Sequence, residues 1–268
     1  MKRHFLVAMI ALSTLAACKK EMDDLCQKEA ENPGGGSNPG SSKVLKRLVE
    51  TKAAQTTTYN LSYDASKRLS SVSSTDNSES MAFTYANDGN VTKIENKEGN
   101  VRNVMEISYT NGAPVSATYK SFEKNGAQNE TLTEQYSLQY TVQNAQVTKI
   151  KMIVPADQAN DVDGYELDYN LSYANGNLTK IETVGDFAFA ATFTYGNKKP
   201  AFPAIFKYAL DPAGFSLEFF AKNDLLTMHY DYPGTELDNT ITNVYTYDAD
   251  GYVLTSNDGE TQTKFEYQ

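Results

Sequence analysis

The chain of 268 residues has no tryptophan, two histidines and two cysteines, and each shortage removes a class of chemistry. His4 lies in the first few residues, so a Ser-His-Asp or Cys-His device would have to use His229. No nucleophile-elbow sequence accompanies it, and it sits between Met228 and Tyr230 as one position of a strand. Zinc sites built from histidine and cysteine need more ligands than the chain owns. Positive charge is also scarce: 24 Lys and Arg stand against 34 Asp and Glu, for a net charge of −10. No basic cluster exists beyond Lys43, Lys46 and Arg47. Nucleic-acid affinity rests on neutralising phosphates, so nucleic acid is not an expected partner. The want of tryptophan weakens a carbohydrate-stacking surface, and no run is apolar for the roughly 20 residues of a spanning helix.

Two acidic turns invite a calcium reading, Asp161-Val-Asp163-Gly164 and Asp248-Ala-Asp250-Gly251. Aligned on its glycine, an EF-hand loop would need ligands where Ala159 and Asn170, or Thr246 and Asn257, stand. Both fail, and aspartate before glycine is ordinary turn chemistry. Nothing singles out a carboxylate pair for glycoside hydrolysis. The expectation is no metal, no cofactor and no catalytic residues.

What is present begins with the N-terminus. Lys2 and Arg3, an apolar stretch from Phe5 to Ala17 and small residues before Cys18 are the parts of a secretory signal. Leu15-Ala16-Ala17-Cys18 resembles a bacterial lipobox, which implies signal-peptide removal after residue 17 and lipidation of Cys18. The charged stretch Lys19 to Asp24 resembles an export signal for surface lipoproteins, or is simply a solvated tether. Residues 32–42, rich in Gly, Ser, Asn and Pro, form a flexible spacer. Cys26 lies between Cys18 and that spacer and has no intrachain disulfide partner once Cys18 is acylated. The expected organisation is a signal at 1–17, a lipidated tether at 18–42 and one folded domain at 43–268. Loss of Lys2 and Arg3 takes the net charge to −12, a self-repelling surface.

The domain is repetitive. Eight strand-like segments end on tyrosine with an apolar residue two positions earlier: Leu61/Tyr63, Phe83/Tyr85, Ile107/Tyr109, Leu138/Tyr140, Leu171/Tyr173, Phe193/Tyr195, Tyr245/Tyr247 and Phe265/Tyr267. Residues two apart share one face of a strand. Asn-Gly and Asp-Gly turns follow many copies, as at Asp88-Gly89, Asn175-Gly176 and Asp250-Gly251, and signal hairpins. The element Val/Leu-Thr-Lys-Ile recurs at 91–94, 147–150 and 178–181 with apolar residues three apart, the spacing a β-bulge would produce. Three prolines between Asn197 and Pro212 mark a long loop or crossover. The pattern predicts an all-β fold, an antiparallel meander of about 14–17 short strands curled into a barrel or partly open barrel. The strands are short and carry Thr, Ser, Lys and Glu on their second face, which argues against a pore inside the membrane.

The segments Tyr247-Asp-Ala-Asp-Gly-Tyr-Val-Leu254 and Tyr63-Asp-Ala-Ser-Lys-Arg-Leu69 resemble the YD units of RHS-type repeats. With the lipobox and spacer, residues 44–268 resemble an uncharacterised family of Bacteroidetes lipoproteins with a porin-like β fold. The resemblance implies an envelope location at the outer membrane, the lipid anchor making the membrane a partner, and supplies no catalytic residues. Two functional readings follow. In the first, a non-catalytic or structural module of the envelope captures a glycan or peptide on exposed tyrosines, with Tyr63, Tyr85, Tyr173, Tyr195 and Tyr247 as candidates. In the second, a barrel encloses a lipid or other apolar ligand, and Phe187, Phe189, Phe193, Phe202, Phe206, Phe215, Phe219 and Phe220 line the cavity or form the core.

Overall fold

A computed structural model describes residues 43–125, 129–156, 163–185, 189–212, 215–232 and 238–268. The signal, Cys18, Cys26 and the tether lie outside the described residues, as do Asp161 and Phe187. The strands are β1 (Leu45–Lys52), β2 (Gln55–Tyr63), β3 (Leu69–Ser74), β4 (Glu79–Tyr85), β5 (Val91–Glu98) and β6 (Val101–Thr110). They continue with β7 (Ala113–Asn125), β8 (Asn129–Gln143), β9 (Gln146–Val154), β10 (Tyr165–Ala174), β11 (Asn177–Val184) and β12 (Ala190–Tyr195). The last five are β13 (Leu225–Asp231), β14 (Asn239–Thr242), β15 (Val244–Tyr247), β16 (Val253–Asn257) and β17 (Thr261–Tyr267). Among the described residues one 3-10 turn, Phe215–Leu217, is the sole helical element.

All seventeen strands belong to one antiparallel sheet. Each pairs with its successor, except that β14 and β15 form one path broken at Asn243, the first half pairing with β13 and the second with β16. β1 pairs with β17 as well as β2, with Leu48 opposite Phe265, so the meander curls round on itself as a barrel. Closure removes the exposed edges that a flat sheet of this size would carry.

Period-two alternation sorts the side chains. Inward residues meet across strands, as in Phe83 opposite Ile94, Ile94 opposite Met105, Ala117 opposite Leu138, and Leu171 opposite Ile181. All are buried. Outward positions are polar and paired: Arg47 with Glu266 at 2.8 Å, Lys151 with Glu166 at 2.7 Å, and threonine hydroxyls in contact at Thr194/Thr227 and Thr246/Thr255. Such exposed pairs add little stability each, but they keep the outer face soluble.

The three-residue spacing is a bulge, as expected. Tyr85 faces Val91 while Thr84 faces Lys93, which leaves Thr92 as the extra residue. Thr148 and Thr179 occupy the same place in the other two copies. Each bulged threonine donates its hydroxyl to a carbonyl of the neighbouring strand, Thr84, Thr141 and Ser172 respectively. The bulge turns both apolar residues of the motif inward, so Val91 and Ile94, Val147 and Ile150, and Leu178 and Ile181 are all buried.

The long connection from Gly196 to Asp224 does not stay outside. It enters the barrel between β12 and β13, and Phe206, Ala209, Leu210, Leu217, Phe219 and Phe220 are buried in the common core. Its rings touch opposite walls: Phe219 lies 5.5 Å from Phe83 on β4, Phe202 lies 5.9 Å from Phe265 on β17, and Phe220 lies 6.2 Å from Tyr173 on β10. A meander of this circumference leaves an interior that wall side chains alone do not fill, and this segment plugs it.

Candidate functional site in the barrel lumen

The repeated tyrosines gather at one rim, where even strands from β2 to β12 end and odd ones begin. Their rings pack against the core and remain half-buried. Most of their hydroxyls do a common job. Tyr63 donates to the Leu45 carbonyl, Tyr85 to Leu69, Tyr109 to Val91, Tyr173 to Val147 and Tyr195 to Leu178, at 2.6–2.9 Å, while the Tyr267 hydroxyl is buried with no hydrogen-bond partner among the described residues. Each bond ties the end of one strand to the start of an earlier one. Burial of these rings pushes the Tyr63 and Tyr85 phenols up to about 12. The aspartate after the tyrosine closes the turn: Asp64 Oδ1 accepts the amides of Ser66 and Arg68, and Asp248 Oδ1 accepts those of Asp250 and Tyr252. The structure thus places the hydroxyls of Tyr63, Tyr85, Tyr173 and Tyr195 on backbone carbonyls.

Two copies grip the plug instead. Tyr140 donates to the Leu210 carbonyl at 2.6 Å, and Tyr247 donates to Asp224 Oδ2 at 2.6 Å. Asp224 is almost fully buried and its other oxygen accepts the Lys198 amide at 2.7 Å. The Gly196 amide donates to the Asp224 carbonyl, which pins the two ends of the plug together at the rim. Gly196 is required there, because a Cβ would stand 2.3 Å from the Asp224 carboxylate.

Between the plug and the walls from β13 round to β5 lies a cavity of about 240 Å³. Its apolar lining includes Leu48, Met81, Phe202, Phe219, Met228 and Phe265. Tyr59, Tyr230 and Tyr245 add rings with polar tips. Four acids complete it: Glu50 on β1, Glu79 on β4, Glu218 on the plug and Asp258 in the β16–β17 turn. Among the described residues no lysine, arginine or histidine lines it.

The four acids are not equivalent. Glu79 accepts the Tyr59 hydroxyl, and Asp258 caps its own turn by accepting the amides of Glu260 and Thr261. Among the described residues Glu50 and Glu218 take part in no ion pair. Desolvation, reinforced by repulsion from Glu218, Glu79 and Asp258, pushes the Glu50 carboxyl up to about 7. Desolvation pushes the Glu218 carboxyl up to about 7 as well. Its side chain is nonetheless solvent-accessible, because it projects into the lumen space rather than into packed protein.

The aromatic residues expected to line a cavity or form the core divide between the two. Phe202 and Phe219 line the lumen, while Phe189, Phe193, Phe206 and Phe220 are core. Sequence reading had passed over the lumenal acids. Period-two alternation would have found two of them, since Glu50 shares a face with Leu48, and Glu79 with Met81 and Phe83. Glu218 interrupts the apolar run Leu217–Phe220. His229 lies on β13, with Nδ1 2.9 Å from the Thr240 hydroxyl, on the exposed face.

No protein-family model matches the chain, and no curated protein matches it. Solved structures do. A porin-like protein from Bacteroides vulgatus superposes with a TM-score of 0.52 at 11% identity, over 85% of this chain and 99% of that one. That likeness shows the fold. A porin-like protein from Bacteroides uniformis is 18% identical over 83% of this chain and 96% of its own, with a TM-score of 0.47. The complex TcdB2-TccC3-Cdc42 matches at 11% identity with a TM-score of 0.21, over 81% of this chain and 14% of that one. Neither of these last two likenesses carries an argument.

Proposed function

We propose that this protein is a non-catalytic barrel of the bacterial envelope, tethered by a lipid on Cys18, that holds a small ligand with an apolar body in its lumen. The observation that carries the reading is the sidedness of the wall. A membrane-spanning barrel turns an unbroken apolar band outward and a polar surface inward. Here the outer face carries ion pairs and threonine ladders, and its exposed large apolar residues are scattered: Val115, Leu132, Tyr165, Val184, Val244 and Leu254. The inner face is apolar, plugged and hollow on one side. That arrangement suits a binding vessel standing beside the membrane, and the tether at 18–42 gives it reach. The YD-like repeat serves this fold as a strand-locking unit rather than a ligand code.

Native mass spectrometry of protein purified from its own host tests the reading. A retained adduct of small-molecule mass, lost when Ser256→Trp fills the cavity, is the expected result. Adduct-free protein from fresh membranes would overturn it.

A further inference from the structure

The lumen's charge is as one-sided as its wall is apolar. Glu50 and Glu218 line the same cavity with Glu79 and Asp258, close enough that the other three acids act on Glu50, and among the described residues no Lys or Arg joins the lining. Partners elsewhere in the molecule are plentiful. Lys43 reaches Asp248 and Asp250, and Arg102 reaches Glu130, so cations do find acids on the outer face and rims. A carboxylate held in a largely apolar cavity without a partner is costly even where some solvent reaches it, unless a charge or a proton answers it. Replacement by glutamine would fill the same space at no such cost.

We propose that the lumen selects a cationic amphiphile, a small molecule with one ammonium-type charge on an alkyl or aromatic body. This rests on the lumen being a binding site. The ammonium group lies between Glu50 and Glu218, and the body lies against Phe202, Phe219, Met228 and Phe265. Tyr59 and Tyr245 contribute ring faces that attract a cation. A fatty acid or phospholipid phosphate would add like charge to the four acids. A neutral lipid would leave Glu50 and Glu218 unanswered. A bare metal ion is poorly served, since no group of three or more His, Cys, Asp or Glu among the described residues is arranged to hold one. Burial raises the carboxyl groups of both acids, and at Glu50 repulsion from the neighbouring acids adds to it, so a bound cation would drive their ionisation.

Isothermal titration of the full-length protein with n-octylammonium, n-octanol and n-octanoate, three probes sharing one chain, tests the inference. Octylammonium should bind at least about tenfold more tightly than octanol, and octanoate more weakly than either, as expected for a desolvated charge pair. In the double variant E50Q/E218Q, which keeps the cavity's shape, that preference should fall about tenfold while octanol binding holds. Octanol or octanoate binding as tightly as octylammonium, or a preference unchanged in the double variant, would overturn the charge assignment and leave the lumen site standing. Failure of all three probes to bind would overturn the lumen site itself.

Discussion

Tyr195→Phe removes one oxygen and nothing else, which makes it a clean probe of the repeated rim. The Tyr195 hydroxyl donates to the Leu178 carbonyl at 2.7 Å, and Leu178 is 1% exposed. An intramolecular hydrogen bond contributes about 1 kcal/mol net, and leaving a buried acceptor short of its partner adds to that. Some of the loss is recovered because the phenylalanine ring keeps the packing. The expected destabilisation is about 1–2 kcal/mol, which in a domain of this size lowers Tm by roughly 3–7 °C. Urea unfolding followed by far-UV circular dichroism reads it as a lower midpoint at unchanged slope. Tyr85→Phe, at a distant point of the rim, should cost a similar amount, and the double variant should show the sum, because the sites share no partner. A variant within about 0.3 kcal/mol of the parent would refute the view that the hydroxyls lock the strands. Ligand binding lost without loss of stability would return these tyrosines to a binding role.

Other consequences are open to test. Gly196→Ala forces a methyl group against the Asp224 carboxylate, which its bonds to Tyr247 and Lys198 hold in place. An overpacking cost of about 1–3 kcal/mol is expected, read in the same unfolding experiment. For pH, the Glu50 carboxyl rises from an ordinary 4.5 to about 7. Between those values the folded protein binds more protons than the unfolded one, so stability should be full below about pH 4.5 and decline as pH rises through about 7. The whole shift would correspond to about 3 kcal/mol, and solvent in the lumen reduces it to about 1 kcal/mol. Glu50→Gln should therefore stabilise the ligand-free protein at pH 8 by about that amount and flatten its pH profile, measured by thermal unfolding across the range.

Much of this architecture was legible because its causes are local. Alternation in segments such as Tyr59-Asn-Leu-Ser-Tyr63 and the Asn-Gly and Asp-Gly turns specify hairpins, and a run of hairpins makes a meander. The three-residue spacing of Val91 and Ile94 could be read as a bulge because one extra residue is what such a spacing needs. The plug was only half legible. Prolines at 200, 203 and 212 break the strand rhythm and mark a connection. Its path into the barrel depends on the empty volume that a ring of this size leaves, a global property that no window of sequence carries. The tyrosines could be placed on an inner face but their bonding could not, since most acceptors are backbone carbonyls 16–26 residues earlier on other strands, and those of Tyr140 and Tyr247 lie on the plug. The lumenal acids vanish into a composition of 34 acidic residues until the face of each strand is assigned.

The central claim, a barrel held beside the membrane rather than within it, has a direct test. Residues 1–18 are exchanged for an ordinary cleavable secretory signal, and host cells expressing the result are fractionated. The parent protein is expected to stay with the outer membrane through a high-salt wash, while the exchanged form becomes soluble with an unchanged β-sheet spectrum. An exchanged form that remains membrane-embedded and needs detergent for release would contradict it.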